Sequence, residues 1–280
     1  MNHDDNTEPR ENGVVGRPLI CLDFDGTLVD EEGRIHPSDV EILAEERSVA
    51  FVPATGRPLH SVRRTFEQHG LFSGRPISFP LILENGAAVY SENEVLLSHR
   101  SFDPELQDVL MRAVLDSEGT SFVLFSLDEV HALRPSETLR AMIRRFGLNV
   151  HPFNPDEDPA RPFTKVSATA EDIETLHEFA ANIVELPLER TYSLPNMLEL
   201  APVGVHKGGG LTALLEGWER VEQIVAVGDG ENDLALFEQA TLSYAPESSP
   251  PAIQARADRI IDLSKEGLLA PILREISARQ

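Results

Sequence analysis

The chain has 280 residues, enough for one large domain or two, and an apolar fraction of 41%, enough for a core of ordinary density. Its 47 acidic and 24 basic side chains give a net charge of -23, which argues against a nucleic-acid-binding surface. The single cysteine, Cys21, excludes an internal disulfide and a multi-cysteine metal site, and it is typical of a reducing compartment.

Residues 1–16 are polar and contain no apolar segment, so we expect a disordered tail rather than a signal peptide or an anchor. The sequence also has no uncharged apolar stretch long enough to cross a bilayer. Together with the single cysteine, these features predict a soluble, cytoplasmic protein with neither a membrane nor a nucleic-acid partner.

The first part of the chain alternates predicted strands and helices. The pattern predicts a strand at 19–22 that ends in Asp23 and Asp25, a helix capped by Ser38 or Asp39, a strand at 49–52, a helix from Pro58 to Gly70, and a strand at 81–83. Such alternation is typical of crossover units, and it therefore predicts a parallel sheet.

The middle of the chain, residues 87–190, loses this alternation and becomes rich in proline and short mixed segments, which indicates an inserted α+β domain. The first pattern then resumes with Lys207 and three glycines before a helix, a strand at 224–227, and short strands near Leu242 and Ile260. We therefore predict an α/β protein with a Rossmann-like parallel-sheet core at 17–86 and 191–280.

Three predicted strands of the core end in polar clusters. Asp23 and Asp25 follow the first, Thr55-Gly56-Arg57 follows the second, and Asp229 with Asn232 and Asp233 follows the strand at 224–227. The carboxyl ends of parallel strands share one edge of a sheet, where ligands bind. The three clusters and Lys207 are therefore expected to meet in one crevice.

Clustered carboxylates suit a hard cation such as Mg²⁺, which takes one or two protein carboxylates, water and phosphate oxygens. A carboxylate screened by a metal and by Lys207 can attack phosphorus, and we assign this role to Asp23. Asp25, one pleat further on, would act as the acid and base, and Thr55 and the amide of Gly56 would hold the phosphate oxygens.

Simpler interpretations exist for each motif taken alone. Asp23, Asp25 and Thr27 have the spacing of a calcium loop, but Leu28 stands where that loop needs glycine and Arg34 where it needs glutamate. Residues 228–233 could be a polar turn that caps a helix, and Arg57 could form a structural ion pair instead of contacting substrate.

In order, Asp23-Phe-Asp-Gly-Thr27, Thr55-Gly-Arg57, Lys207 and Gly228-Asp-Gly-Glu-Asn-Asp233 resemble the four motifs of the haloacid-dehalogenase-like (HAD) phosphohydrolase superfamily. The long insertion, with Asn85-Gly86 leading into it, resembles the type IIB cap of the Cof-like and sugar-phosphatase branch. The resemblance implies a mobile or semi-mobile cap over a Mg²⁺-dependent active site.

The resemblance also implies a role for each matching residue. Asp23, the carbonyl of Asp25 and Asp229 would bind the metal, and Asp233 completes this set as a group that orients the others. The matching phosphate-binding positions are Thr55, Gly56, Lys207 and Asn232, and the expected substrate contacts are Arg57 and Asn85.

The predicted activity is hydrolysis of a small phosphorylated metabolite, a sugar or sugar-acid phosphate, through an aspartyl-phosphate. Two alternatives remain open: a phosphomutase similar to the phosphomannomutases, and a sensor that binds a phosphorylated metabolite without turning it over. The sequence predicts a monomer or a homodimer without choosing between them.

Overall fold

The computed structural model describes residues 17–279 except 128, 157, 159, 160, 195, 217, 219, 220 and 222. The predicted disordered tail at 1–16 therefore lies outside the described residues. Within them, the strands form two sheets, one of eight strands and one of six.

The larger sheet contains the predicted parallel core. Its strands are β1 (Leu19–Asp23), β2 (Ala50–Ala54), β3 (Leu81–Leu83), β4 (Ala88–Tyr90), β5 (Leu96–His99), β12 (Ile224–Val227), β13 (Leu242–Pro246) and β14 (Arg259–Ile261). They lie in the order β14-β13-β12-β1-β2-β3-β4-β5. The pairs from β14 to β3 are parallel, whereas β4 and β5 add antiparallel strands at one edge.

The smaller sheet belongs to the inserted part of the chain. Its strands are β6 (Thr120–Phe125), β7 (Val130–Leu133), β8 (Val150–Pro152), β9 (Lys165–Ala170), β10 (Leu188–Leu194) and β11 (Met197–Pro202), in the order β10-β11-β9-β6-β7-β8. All of its pairs are antiparallel except β7 with β8. We call this sheet with its helices the cap.

The helices pack on both sheets. They are α1 (Pro37–Glu45), α2 (Leu59–Gln68), α3 (Pro104–Asp116), α4 (Glu137–Arg145), α5 (Ile173–Asn182), α6 (Lys207–Leu215), α7 (Leu234–Phe237), α8 (Pro251–Gln254), α9 (Leu263–Glu266) and α10 (Leu269–Arg279). Among the described residues, no helix is both long and apolar enough to span a membrane.

Strand β1 is buried on both faces. Ile20 and Leu22 belong to one apolar cluster, whereas Leu19 and Cys21 belong to the cluster on the other side of the sheet. Alternate side chains of a strand point to opposite faces, so helices must cover both sides of this sheet. Burial raises the pKa of the Cys21 thiol, as expected of a core residue.

Strand pairing corrects the predicted boundaries of the inserted domain. The change in composition places them at 87 and 190, but β4 and β5 pair with the core sheet, and β10 and β11 pair with the cap sheet. Both predicted boundaries therefore fall too early in the chain. The reason is that a change in composition marks the end of βα alternation, whereas β4 and β5 extend the core sheet as antiparallel strands.

Two predicted helix starts also change. His36, not Ser38 or Asp39, caps α1, and Asp39 instead accepts hydrogen bonds from the amides of Leu268 and Leu269. The three glycines after Lys207 lie within the first turn of α6 rather than before it.

Candidate active site

Asp23 is the last residue of β1 and is almost completely buried. Its Oδ1 atom accepts a hydrogen bond from Lys207 Nζ at 2.5 Å. Its Oδ2 atom is also buried and has no hydrogen-bond partner among the described residues. A buried carboxylate oxygen without a partner is costly, so this atom is available for a cation or for a reaction.

Lys207 is fully buried at the first position of α6, between two carboxylates. Its Nζ atom donates to Asp23 Oδ1 and, at 2.6 Å, to Asp233 Oδ1. Burial by itself lowers the pKa of a lysine, but these two carboxylates raise the pKa of Lys207 above its usual value. The ammonium therefore stays charged at the centre of the cluster.

The start of α6 is held by His206, a residue for which the sequence analysis predicts no function. The Nδ1 atom of His206 accepts a hydrogen bond from the Gly209 amide and caps the helix. Gly210 lets α6 approach β3 closely, since a Cβ atom there would lie 2.5 Å from Cγ2 of Ile82. Packing therefore explains this glycine and fixes the position of Lys207.

The turn after β12 carries the second pair of acids. Both oxygens of Asp233 are engaged: Oδ1 with Lys207, and Oδ2 with the amides of Asp229 and Gly230 at 3.0 and 3.1 Å. The Asp229 carboxylate lies over Gly26, where a Cβ atom would come within 2.2 Å of its Oδ2 atom. Gly26, with a φ of +85°, thus gives the carboxylate its space.

Asp23, Asp229 and Asp233 form a group that fits a divalent cation. One oxygen from each lies within 4.8 Å of the others. Three carboxylates around one ammonium leave two negative charges, which a divalent ion would neutralise. The free Oδ2 atom of Asp23 and the Asp229 carboxylate are the donors best placed to hold Mg²⁺, since oxygen ligands suit this ion.

The pKa values of Asp23 and Asp229 are raised, in agreement with this excess of negative charge. Burial, followed by repulsion from Asp233 and Asp229, raises the pKa of Asp23 well above its usual value, although Lys207 acts against this shift. Burial and Asp233 raise the pKa of Asp229 to about 6. A cation in the cluster would favour the charged forms of both carboxylates.

Asp25 lies at the cavity wall and forms a bidentate ion pair with Arg57, whose Nε atom donates to its Oδ2 atom at 2.8 Å. Arg57 is buried and also donates to Thr65 Oγ1 at 3.0 Å. Its guanidinium carbon lies 5.1 Å from the ring centroid of Phe24 and 5.2 Å from that of Phe146, a cap residue. The structure thus places Arg57 in the ion pair considered as its alternative role.

Three of the predicted phosphate-binding residues line the same cavity as the acids. Thr55, Gly56 and Asn232 line the cavity with Asp23, Asp25 and Asp229. The Oγ1 atom of Thr55 accepts a hydrogen bond from the Arg57 amide at 3.2 Å, which orders the loop after β2.

Asn85 lies away from the main cavity, in a small pocket that it shares with Glu199. Its Nδ2 atom donates to Glu199 Oε2 at 2.8 Å. Glu199 also accepts from Lys165 Nζ at 2.7 Å, and the same nitrogen donates to the Gly56 carbonyl at 2.7 Å. These contacts join the cap to the loop that follows β2.

Sequence reasoning missed Lys165 and Glu199, although both line the cavity. The available signal was a charged residue within each of two otherwise apolar or small-residue strands, KVSATA and MLELAP. Burial alone would raise the pKa of Glu199, but Lys165, Asn85 and Ser167 hold it below its usual value. A charged side chain this deeply buried requires such partners.

The floor at the carboxyl ends of the core strands and the cap face above it enclose a cavity of about 520 Å³. A parallel-sheet core, an inserted cap and a lysine-centred acid cluster at the strand ends together define an enzyme of the α/β class whose active site lies under a cap. Residues 20–273 match the family of haloacid dehalogenase-like hydrolases. The chain therefore belongs to this family, and the predicted fold class is confirmed.

Curated relatives agree with this assignment. The chain is 27% identical over 300 residues to a hydrolase of Schizosaccharomyces pombe, covering 99% of this chain and 95% of the relative. It is 26% identical over 258 residues to a pyridoxal phosphate phosphatase of Escherichia coli, covering 87% and 92%.

A solved HAD subclass IIB sugar phosphatase superposes with a TM-score of 0.76 at 20% identity, covering 93% of this chain and 99% of that one. At this identity the likeness concerns the fold alone. It shows that the core and the cap of this chain share the fold of that protein.

Proposed function

We propose that this hydrolase is a Mg²⁺-dependent phosphatase that cleaves small phosphorylated metabolites through a phosphorylated Asp23. The observation that carries the proposal is the free Oδ2 atom of Asp23, buried beside Lys207 at the floor of the cavity. The phosphatase relative of Escherichia coli, matched over most of both chains, supports it.

In the first step, Asp23 Oδ2 forms a bond to phosphorus, the bond from phosphorus to the ester oxygen breaks, and Asp25 gives its proton to that oxygen. In the second, Asp25 takes a proton from water, whose oxygen attacks phosphorus and releases phosphate and free Asp23. Thr55, Gly56, Lys207 and Asn232 would hold the non-bridging oxygens.

We assign the metal-binding role to Asp23, to Asp229 and to the carbonyl of Asp25. When bound, Mg²⁺ would neutralise phosphate and carboxylate charge. Both oxygens of Asp233 already accept hydrogen bonds from Lys207 or the backbone, so Asp23 and Asp229 are the better ligands. The role of Asp233 in the proposal is to orient Lys207 and the turn that carries Asp229.

Arg57 does not enter the proposal as a substrate contact. Its bidentate contact instead holds the Asp25 carboxylate at the cavity wall, and Asp25 must break one of these two hydrogen bonds before it carries the proton that it donates. Asn85 likewise supports Glu199, and through it Lys165, rather than the substrate.

The test is phosphate release from a panel of phosphomonoesters, with Mg²⁺ or with EDTA. We expect release with Mg²⁺ and none with EDTA. Folded, metal-binding protein that releases no phosphate from any substrate would overturn the proposal. A phosphomutase would return an isomerised phosphate ester, and a sensor would bind the ester without any product.

Three parts of the sequence prediction stay predictions: a sugar phosphate as substrate, a cytoplasmic location and a monomeric or homodimeric state.

A further inference from the structure

The roof of the cavity is one face of the cap sheet, and the strand alternation determines which residues it presents. In β6, Phe122 and Leu124 pack into the cluster that includes residues of α3 and α5. Val123 and Phe125 point to the opposite face and line the cavity. The cap sheet therefore presents apolar side chains of β6 to the active site, beside the polar side chains of Lys165, Ser167 and Glu199 on β9 and β11.

Helix α4 and the adjoining ends of β10 and β11 complete this apolar surface. Leu139, Met142 and Ile143 of α4 line the cavity, with Leu194 and Met197 from the strand ends. Phe146, just beyond α4, also lines it. Directly above the charged floor, a ligand would thus meet aliphatic and aromatic side chains.

Most hydrogen-bonding capacity of the buried polar groups on the roof is already used. Glu199 accepts from Lys165, Asn85 and Ser167. Lys165 donates to Glu199 and to the Gly56 carbonyl, the two partners recorded among the described residues, and its Nζ atom lies 4.2 Å from the Phe125 ring centroid. One N–H of Lys165 is left to bind a ligand.

Three further polar residues of the cap, Arg145, Tyr192 and Ser193, line the cavity but are exposed. A polyol would place several hydroxyl groups against the buried part of the roof, where few partners remain for them, and buried polar groups without partners are disfavoured. A flat ring would instead gain contact with Phe125 and the α4 side chains. The volume of about 520 Å³ is in the range of small-ligand sites and holds a phosphate with one or two rings.

We propose that the preferred substrates are phosphate esters of an aromatic or heteroaromatic alcohol whose ring edge carries a hydrogen-bond acceptor for Lys165. The inference depends on the proposed phosphatase activity and narrows it to a substrate class. It differs from the sugar phosphate that the sequence predicts.

The test compares esters of primary alcohols, so that the leaving groups have similar basicity. Benzyl phosphate and 3-pyridylmethyl phosphate supply a ring without and with an acceptor, and glucose 6-phosphate and ribose 5-phosphate supply polyols. Acetyl phosphate, an acyl phosphate with a better leaving group and no ring, stands outside this ranking and reports on the floor alone. We expect kcat/KM for the two ring esters to exceed that for the sugars by about tenfold or more, with the pyridyl ester ahead of the benzyl ester.

A pair of variants on α4 locates the effect. Met142 lines the cavity, whereas its neighbour Ala141 is exposed and does not. Met142→Asn should reduce kcat/KM for benzyl phosphate about tenfold more than for acetyl phosphate, and Ala141→Asn should change neither. Thermal melting of both variants separates this effect from loss of folding.

The outcomes distinguish the two proposals. No hydrolysis of any ester, acetyl phosphate included, would overturn the phosphatase. Hydrolysis of acetyl phosphate and of the sugars, with the ring esters no better than the sugars in wild type, would overturn the substrate class and leave the phosphatase standing. The expected ranking in wild type supports both, and it needs no variant to fold.

Discussion

The floor and the roof of the cavity are built by opposite rules. The acids and the hydroxyl of the floor lie at or just beyond the carboxyl ends of core strands, as Asp23, Thr55 and Asp229 do. The roof takes alternate residues from the middle of cap strands and one face of α4, and most of them are apolar. The floor thus holds the catalytic groups, whereas the roof holds the groups that contact the leaving group and so determine substrate selectivity.

This division makes floor and roof variants distinguishable by experiment. Changes in the floor should reduce turnover of every phosphate ester by a similar factor, because all substrates share the phosphate. Changes in the roof should alter the ranking of substrates.

The largest effect is expected at Asp23. Asp23→Asn keeps an oxygen that can accept from Lys207 but removes the nucleophile, so kcat should fall about 10⁴-fold or more for ring and sugar esters alike. Steady-state phosphate release measures this, and thermal melting controls for folding. A loss restricted to one class of ester would mean that Asp23 contributes to selectivity, which the division between floor and roof does not allow.

Lys207→Met should produce the largest loss of stability, since Asp23 and Asp233 would remain buried without their cation. Breaking a buried ion pair from one side costs about 3–5 kcal/mol. Urea unfolding measures the free energy, and added Mg²⁺ should recover part of the loss. The control is Lys265→Met, because Lys265 is exposed and should change stability little. An equal loss in both variants would contradict the central role of Lys207.

Glu84 lies between floor and roof and should make stability depend on pH. Its side chain is buried beside Thr164, and burial raises its pKa from 4.5 to about 7. The folded protein thus keeps a proton that the unfolded chain loses above pH 4.5, so the contribution of Glu84 to stability falls as pH rises between these values.

Glu84→Gln removes this titration. The free energy of unfolding of the variant, relative to that of wild type, should rise by about 3 kcal/mol as the pH is raised from 4.5 to 8, given 1.36 kcal/mol per pKa unit. Urea unfolding at the two pH values measures the change. Parallel shifts at both values would show that Glu84 does not carry the proton.

The smallest expected effect concerns Arg57, which sequence reasoning offered as a substrate contact or as an ion pair. If Arg57 positions Asp25, Arg57→Met should lower kcat about 100-fold with KM nearly unchanged. Steady-state kinetics on two esters separate the parameters. A large rise in KM with kcat intact would show that Arg57 binds the substrate and does not position Asp25.

The floor could be predicted because its information is local. A short apolar run followed by acids, as at Leu19–Asp23, identifies a strand end, and parallel topology then brings separate strand ends together. The sequence therefore indicated Asp23, Asp229 and Lys207 without any knowledge of their distances.

The roof could not be predicted, because a sequence shows which residues of a strand share a face only when apolar and polar residues alternate, and this requires one polar face. In β6, both Phe122 and Val123 are buried, on opposite faces, so the sequence does not tell which of them faces the active site. The position of the Lys165 side chain depends in addition on its hydrogen bonds to Glu199 and Gly56, residues far from it in sequence. Such contacts are set by packing and leave no local pattern.

The most direct test of the central claim is to trap the phosphorylated enzyme. Borohydride reduces an acyl-phosphate but not a free carboxylate, so protein quenched during turnover and then reduced should carry homoserine in place of Asp23. Peptide mass spectrometry would locate it, with enzyme reduced in the absence of substrate as the control. Homoserine at position 23 only in the presence of substrate is the expected result, and its appearance at position 25, or its absence during active turnover, would contradict the assignment of Asp23 as nucleophile.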